Sequence, residues 1–169
     1  MVGHEVMIAE KIQTFLIGQG RTLSTAESCT GGRIASAVTA VPGSSAYFQG
    51  GVVAYQNKVK ETLLGVGHDT IAHFDVVSRE VVVEMVEGAC RLFGTDYAIA
   101  TSGCAGPGGG TESIPVGIVW IAFGAPGKVR TFKCEGDRGR VPNVEFATAK
   151  ALKLFWDYLL SEEPGQCET

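Results

Sequence analysis

The chain has 169 residues, 45% of them hydrophobic and 19% charged, and carries a formal net charge of −4. That is enough chain to bury a sizeable core, and it fits one domain, since domains commonly run to roughly 100–150 residues. The acid excess excludes a sequence-independent grip on nucleic acid, which needs a basic face, but a small anionic ligand needs only a few local cations.

In chain order, Ile8, Ile12, Phe15 and Leu16 mark a helix over residues 5–19 that Gly18 and Gly20 close. A short strand (22–26) leads into Ser28, and a helix (33–41) follows with Ile34, Val38 and Val41 on its apolar face, stopped by Pro42-Gly43. Residues 44–55 read as a turn and a strand, with a bulge or close approach at Gly50-Gly51. Asn57 is placed to cap a short helix that carries Lys58 and Lys60 and ends at Leu64. Residues 65–77 show no pattern and are expected to be a loop.

Ser78 and Glu80 open a helix with Val82, Met85, Val86, Ala89, Leu92 and Phe93 on its buried face, and Gly94 closes it. Tyr97 to Thr101 is a nearly all-apolar strand, as in a sheet covered on both faces. Strands over 117–123 and 129–134 follow, then a polar loop over 136–140. A last helix is expected from Asn143, carrying Phe146, Leu152, Phe155, Trp156 and Leu159. One domain over residues 1–160 is expected, with 161–169 a frayed polar tail. Early strand–helix alternation and a late strand pair predict an α/β sandwich whose mixed sheet is mostly parallel with one antiparallel member. Ligands of such sheets sit outside the carboxyl ends of the strands. The loops after Ser28 and after Ser102 should therefore share a crevice.

Five scattered cysteines (Cys29, Cys90, Cys104, Cys134, Cys167), with no C-x-x-C pair, predict a reduced, cytoplasmic setting and no metal site. No signal-peptide pattern and no apolar run near 18 residues is present, so neither export nor a membrane partner is expected.

The chemistry gathers at Ser28-Cys29-Thr30-Gly31-Gly32, a strand-to-helix junction. Backbone N–H groups opening a helix lack acceptors and favour an anion or a developing oxyanion; the plain alternative is a capped glycine turn. The familiar serine arrangements are absent: there is no G-x-S-x-G, and no serine begins S-x-x-K. Lys60 is the best remaining base, provided it is desolvated, because a free lysine holds its proton to a pH of about 10.4; the alternative is a solvated helix lysine. Cys29 is the rival nucleophile, but adjacent side chains point apart and no histidine partner is evident. The loop Gly103 to Gly110 is neither a Walker A loop nor a G-x-G-x-x-G turn.

Taken together and in order, Ala26-Glu27-Ser28-Cys29-Thr30-Gly31-Gly32, Pro42-Gly43-Ser44-Ser45-Ala46-Tyr47-Phe48, Gly50-Gly51-Val52-Val53-Ala54-Tyr55 with Asn57, Ala105-Gly106-Pro107-Gly108-Gly109-Gly110-Thr111 with Pro115-Val116-Gly117, and Gly136-Asp137-Arg138 resemble the CinA C-terminal-domain family across roughly residues 5–160. The resemblance implies a three-layer α/β/α sandwich of the anticodon-binding-domain type. It also implies hydrolysis of the carboxamide of nicotinamide mononucleotide to nicotinic acid mononucleotide and ammonia, without a cofactor, by a chain that self-associates. At matching positions the family pattern places Ser28, Tyr55 and Lys60 in catalysis.

On that basis Ser28 attacks, Lys60 helped by Tyr55 takes its proton, and the Thr30 and Gly31 N–H groups hold the oxyanion. Ser102 orients the amide, Gly106, Gly108, Gly109 and Gly110 follow the ribose phosphate, and Arg138 or Arg140 meets the phosphate. The sequence departs from the family where relatives carry a further arginine near Pro142-Asn143, and Arg140 is placed to substitute for it. A non-catalytic nucleotide sensor and an amidase for another small carboxamide are the other readings of the same crevice.

Overall fold

Strand β1 (Leu23–Glu27) is buried at every residue because it pairs on both sides, with β2 (Phe48–Val53) and β3 (Tyr97–Gly103), both in parallel. The computed structural model describes residues 2–162. Strands β4 (Val119–Ala125) and β5 (Lys128–Cys134) extend the sheet in antiparallel pairings, giving the order β2-β1-β3-β4-β5. Only β4 therefore runs against the rest, as expected.

Helices α1 (Val2–Gln19), α2 (Arg33–Thr39) and α6 (Arg140–Glu162) cover one face. Their core joins Ile12, Leu16, Ile34 and Val38 to Leu152, Phe155 and Leu159. The other face is covered by α3 (Asn57–Leu64), α4 (His68–Phe74) and α5 (Arg79–Phe93), with Val82, Met85, Val86 and Ala89 of α5 packed on Ala26, Ala98 and Ala100 of the sheet. Alanines on that side of the central strands let α5 lie close. Ser78 caps α5 by accepting from Val81 N–H, and Gly94 ends it in the left-handed conformation.

The β1–β2 register slips between Leu23 and Ser24, where Phe48 and Gly50 oppose consecutive residues. A side chain at Gly51 would collide with Thr25 Oγ1 of β1. The paired glycines thus mark both a bulge and a close approach.

Four expectations are corrected. Residues 65–77 contain α4, which has no buried residue and hence no apolar pattern to read. It is anchored instead by Glu84 of α5, whose carboxylate accepts from Gly67 N–H and Thr70 Oγ1, both at 2.7 Å. Asn57 is the first residue of α3 and does not cap it; Gln56 stands at the cap and gives no side-chain bond. The last helix begins at Arg140, three residues before Asn143, because Pro142 lies in its first turn, where no N–H partner is required. Ser161 and Glu162 belong to that helix, and the rest of the expected tail (163–169) lies outside the described residues.

Candidate active site

All four strands that run the same way end at one edge of the sheet, and a cavity of about 220 Å³ opens there. Strand β1 delivers Ser28, β2 delivers Tyr55, β3 delivers Ser102 to Gly106, and the start of α6 delivers Arg140. Asn57 and Lys60 come from α3, and Val76 and Val77 from the link between α4 and α5. Among the described residues no carboxylate lines the cavity, while Lys60 and Arg140 do, so an anionic ligand is favoured in a chain that is acidic overall.

Lys60 is 1% exposed. It shares the inward face of α3 with Leu64 one turn on. Its Nζ donates to Ser28 Oγ at 3.1 Å, to the Ala54 carbonyl at 2.7 Å and to the Tyr55 carbonyl at 3.4 Å. Burial holds its ammonium below the usual lysine range. A neutral amine keeps two N–H bonds for the two carbonyls, and its lone pair is then left facing Ser28.

Ser28 is fixed at both ends of its own residue. Its N–H donates to the Thr101 carbonyl and its carbonyl accepts from Gly31 N–H, both at 3.0 Å. That second bond corrects one expectation: Gly31 N–H closes a turn and does not point at a ligand. Among the described residues, no backbone carbonyl accepts from the N–H groups of Cys29 and Thr30. The start of α2 is likewise already occupied. Glu27, 1% exposed, accepts there from Gly32 N–H (3.1 Å), Ile34 N–H (3.1 Å), Ala35 N–H (2.8 Å) and the Thr30 hydroxyl (2.6 Å).

Cys29 packs in the core of the opposite layer, and burial pushes its thiol up to about 12. It is therefore an un-ionised thiol at neutral pH, the state of a structural rather than a reactive cysteine, although the residue also lines the cavity. No histidine lines the cavity; His68 pairs with Glu61 at the surface. Among the described residues, no three His, Cys, Asp or Glu side chains gather as a metal site, and no helix is long and apolar enough to cross a membrane.

The remaining predicted residues divide. The Ser102 hydroxyl donates to the Val76 carbonyl at 2.9 Å, so its lone pairs are what it offers the cavity. Gly106 and Gly108 line the cavity, whereas Gly109 and Gly110 do not; Gly110 backs onto Val116. The Tyr55 side chain is 54% exposed, and its hydroxyl accepts from Arg140 Nη2 at 3.0 Å, so it does not reach Lys60 as a helper base. Arg140 also donates from Nη1 to the Gly106 carbonyl at 2.7 Å, which holds its guanidinium at the cavity wall. Arg138 turns away: it donates to the carbonyls of Glu135 and Gly136 and lies 4.1 Å over the Phe146 ring.

Sequence reasoning missed Val76 and Val77, which carry no signal, and gave Asn57 only a capping role. It also missed Asn143, buried on α6. Asn143 donates to the Ala105 carbonyl at 3.1 Å and to Asp137 Oδ1 at 2.9 Å, and accepts from Arg138 N–H at 2.8 Å. It clamps the glycine loop to the helix that bears Arg140.

A family model described as the CinA C-terminal domain matches residues 5–159. The chain is 43% identical over 164 residues to the nicotinamide-nucleotide amidohydrolase PncC of Escherichia coli K12, covering 95% of this chain and 98% of that protein. It is 46% identical over 157 residues to a CinA-like protein of Parasynechococcus marenigrum, covering 92% of this chain and 38% of that longer protein. Of the solved structures, the competence/damage inducible protein CihA of Agrobacterium tumefaciens has a TM-score of 0.88 at 38% identity, over 93% of this chain and 96% of that one. With the family model spanning nearly the whole chain and the fold shared at that level of identity, the chain belongs to the CinA C-terminal-domain family.

Proposed function

We propose that the chain is an amidohydrolase that converts nicotinamide mononucleotide to nicotinic acid mononucleotide and ammonia, with Ser28 as nucleophile and Lys60 as base. The observation that carries the reading is a buried lysine in hydrogen-bond contact with a serine hydroxyl at the mouth of the sheet. The similarity to PncC, a nicotinamide-nucleotide amidohydrolase, supports the substrate.

The geometry supports the following steps. Neutral Lys60 takes the Ser28 proton as Oγ attacks the carboxamide carbon. The N–H groups of Cys29 and Thr30 receive the oxyanion, and Gly31 is no longer needed for that role. Protonated Lys60 gives the proton to the departing nitrogen, and ammonia leaves. Water then attacks the acyl carbon while Lys60 again accepts a proton, which it passes to Ser28 Oγ as the acyl bond breaks and the acid is released.

Ser102, its proton committed to Val76, accepts from the carboxamide NH2. Of the two arginines first considered, Arg140 meets the phosphate, since three of its five N–H donors remain after the bonds to Gly106 and Tyr55.

The test is ammonia release from nicotinamide mononucleotide by wild type and by Ser28→Ala. Release by wild type alone is expected. Equal release by both removes the serine mechanism, and binding without release by wild type replaces the enzyme with a nucleotide sensor.

A further inference from the structure

We propose that Glu27 is a positioning residue for the Ser28 nucleophile, its buried carboxylate holding the 28–32 turn in the shape that aims Ser28 Oγ at Lys60. The proposal rests on the amidase reading for its kinetic arm, and on geometry alone for the rest.

Glu27 and Ser28 are neighbours at the end of β1 and face opposite layers. Ser28 meets α3 through Lys60, while Glu27 meets the start of α2. Four donors converge on the carboxylate, three on Oε2 and one on Oε1. Because the Thr30 hydroxyl gives its proton to Glu27, its 2.8 Å contact with the Thr101 hydroxyl runs the other way, with Thr101 donating. Thr101 also holds the Ser28 N–H through its carbonyl. The chain Thr101, Thr30, Glu27 therefore closes a ring of hydrogen bonds around the nucleophile's peptide, and the ring leaves the Cys29 and Thr30 N–H groups out of it.

The same bonds occupy the N–H donors at the start of α2. The negative charge that its N–H groups favour is supplied from within, which leaves Arg140 at the cavity wall to meet a substrate anion. A carboxylate is required rather than an amide of the same shape. If a glutamine carbonyl takes the place of Oε2, its NH2 faces Ala35 N–H, donor against donor.

The experiment is Glu27→Gln, read three ways beside wild type: melting temperature, kcat against KM for nicotinamide mononucleotide, and the rate at which a small fluorophosphonate labels Ser28. A folded variant with kcat down roughly 10²-fold, KM within about threefold, and labelling slowed in parallel is expected, the scale of an ångström-sized misplacement. Unchanged kcat and labelling overturn the proposal, as does loss of kcat, substrate binding and melting temperature together. Labelling needs no substrate, so it decides the proposal even where wild type releases no ammonia. Should Glu27→Gln not fold, Thr30→Val, which removes one donor to the carboxylate, is read by the same three measurements and the same outcomes.

Discussion

Lys60 Nζ lies 3.1 Å from Ser28 Oγ although 32 residues separate them, and neither residue has more than 8% of its surface exposed. A buried lysine with carbonyls as its other partners is an expensive feature to retain for packing alone. Acting as one unit, the two residues should show strongly non-additive losses. Ser28→Ala and Lys60→Met are each expected to lower kcat by at least about 10⁴-fold, and the double variant no further. Nucleotide binding measured by calorimetry should survive in all three. A Lys60→Met enzyme with full rate would place the base elsewhere.

The pH dependence follows from the lowered affinity of Lys60 for its proton. Only the neutral amine serves as base, so kcat/KM should rise with pH along a limb centred below about 10.4, the value of a free lysine. Stability carries the same signature. Between the folded-state value and about 10.4 the unfolded chain binds the extra proton, so stability rises with pH across that window and the gain is absent below it. The difference in urea midpoint between wild type and Lys60→Met, followed across that window, isolates this contribution; a flat difference refutes it.

Cys29 adjoins Ser28, yet its thiol is pushed up to about 12 by burial. Cys29→Ala should keep kcat within a few-fold while costing about 0.5–3 kcal/mol of stability for the lost core volume. Iodoacetamide at neutral pH should leave Cys29 unmodified in the native protein, as read by peptide mass. Inactivation that tracks alkylation of Cys29 would reopen the cysteine route.

The two arginines should separate cleanly. Arg140→Met removes a charged donor from the cavity wall, and KM should rise about tenfold to hundredfold, in line with the roughly 1.5–3 kcal/mol of a hydrogen bond to a charged group. Arg138→Met leaves the cavity untouched and should cost stability only, through its carbonyl bonds and its contact with Phe146. Tyr55→Phe frees Arg140 from one partner and should move KM, not kcat. A fall in kcat at constant KM would return Tyr55 to the proton-transfer machinery.

Much of this was legible in the sequence because it rests on local pattern. The strand–helix succession, the single antiparallel strand and the junction at Ser28 follow from apolar periodicity and glycine placement. Lys60 was legible only as a candidate, since its burial depends on α5 closing over α3. What escaped were features set by a few polar side-chain atoms. Glu27 fills the start of α2, so an apparent ligand site is internal. Glu84 anchors α4, which has no fully buried residue, and Asn143 fixes a loop from the far side. Gly31 was misassigned because one backbone bond within the turn, invisible to composition, uses its N–H.

Gly88 tests how α3 is held against α5. A methyl group there would collide with the Leu64 carbonyl, the last residue of α3, which also receives Arg91 Nη2 at 2.9 Å. Helix propensity alone would make alanine better than glycine by up to about 1 kcal/mol. Overpacking against backbone costs roughly 1–3 kcal/mol, and a carbonyl cannot rotate away as a side chain can, so the collision dominates. Gly88→Ala should therefore lower the urea midpoint, and because Lys60 lies one turn before Leu64, it should also reduce kcat. Gly18, near the end of α1 with open space where a Cβ would go, is the control. Gly18→Ala should raise the midpoint slightly and leave kcat alone. Equal and opposite signs at the two sites would confirm close approach as the reason for Gly88, and stabilisation at both would refute it.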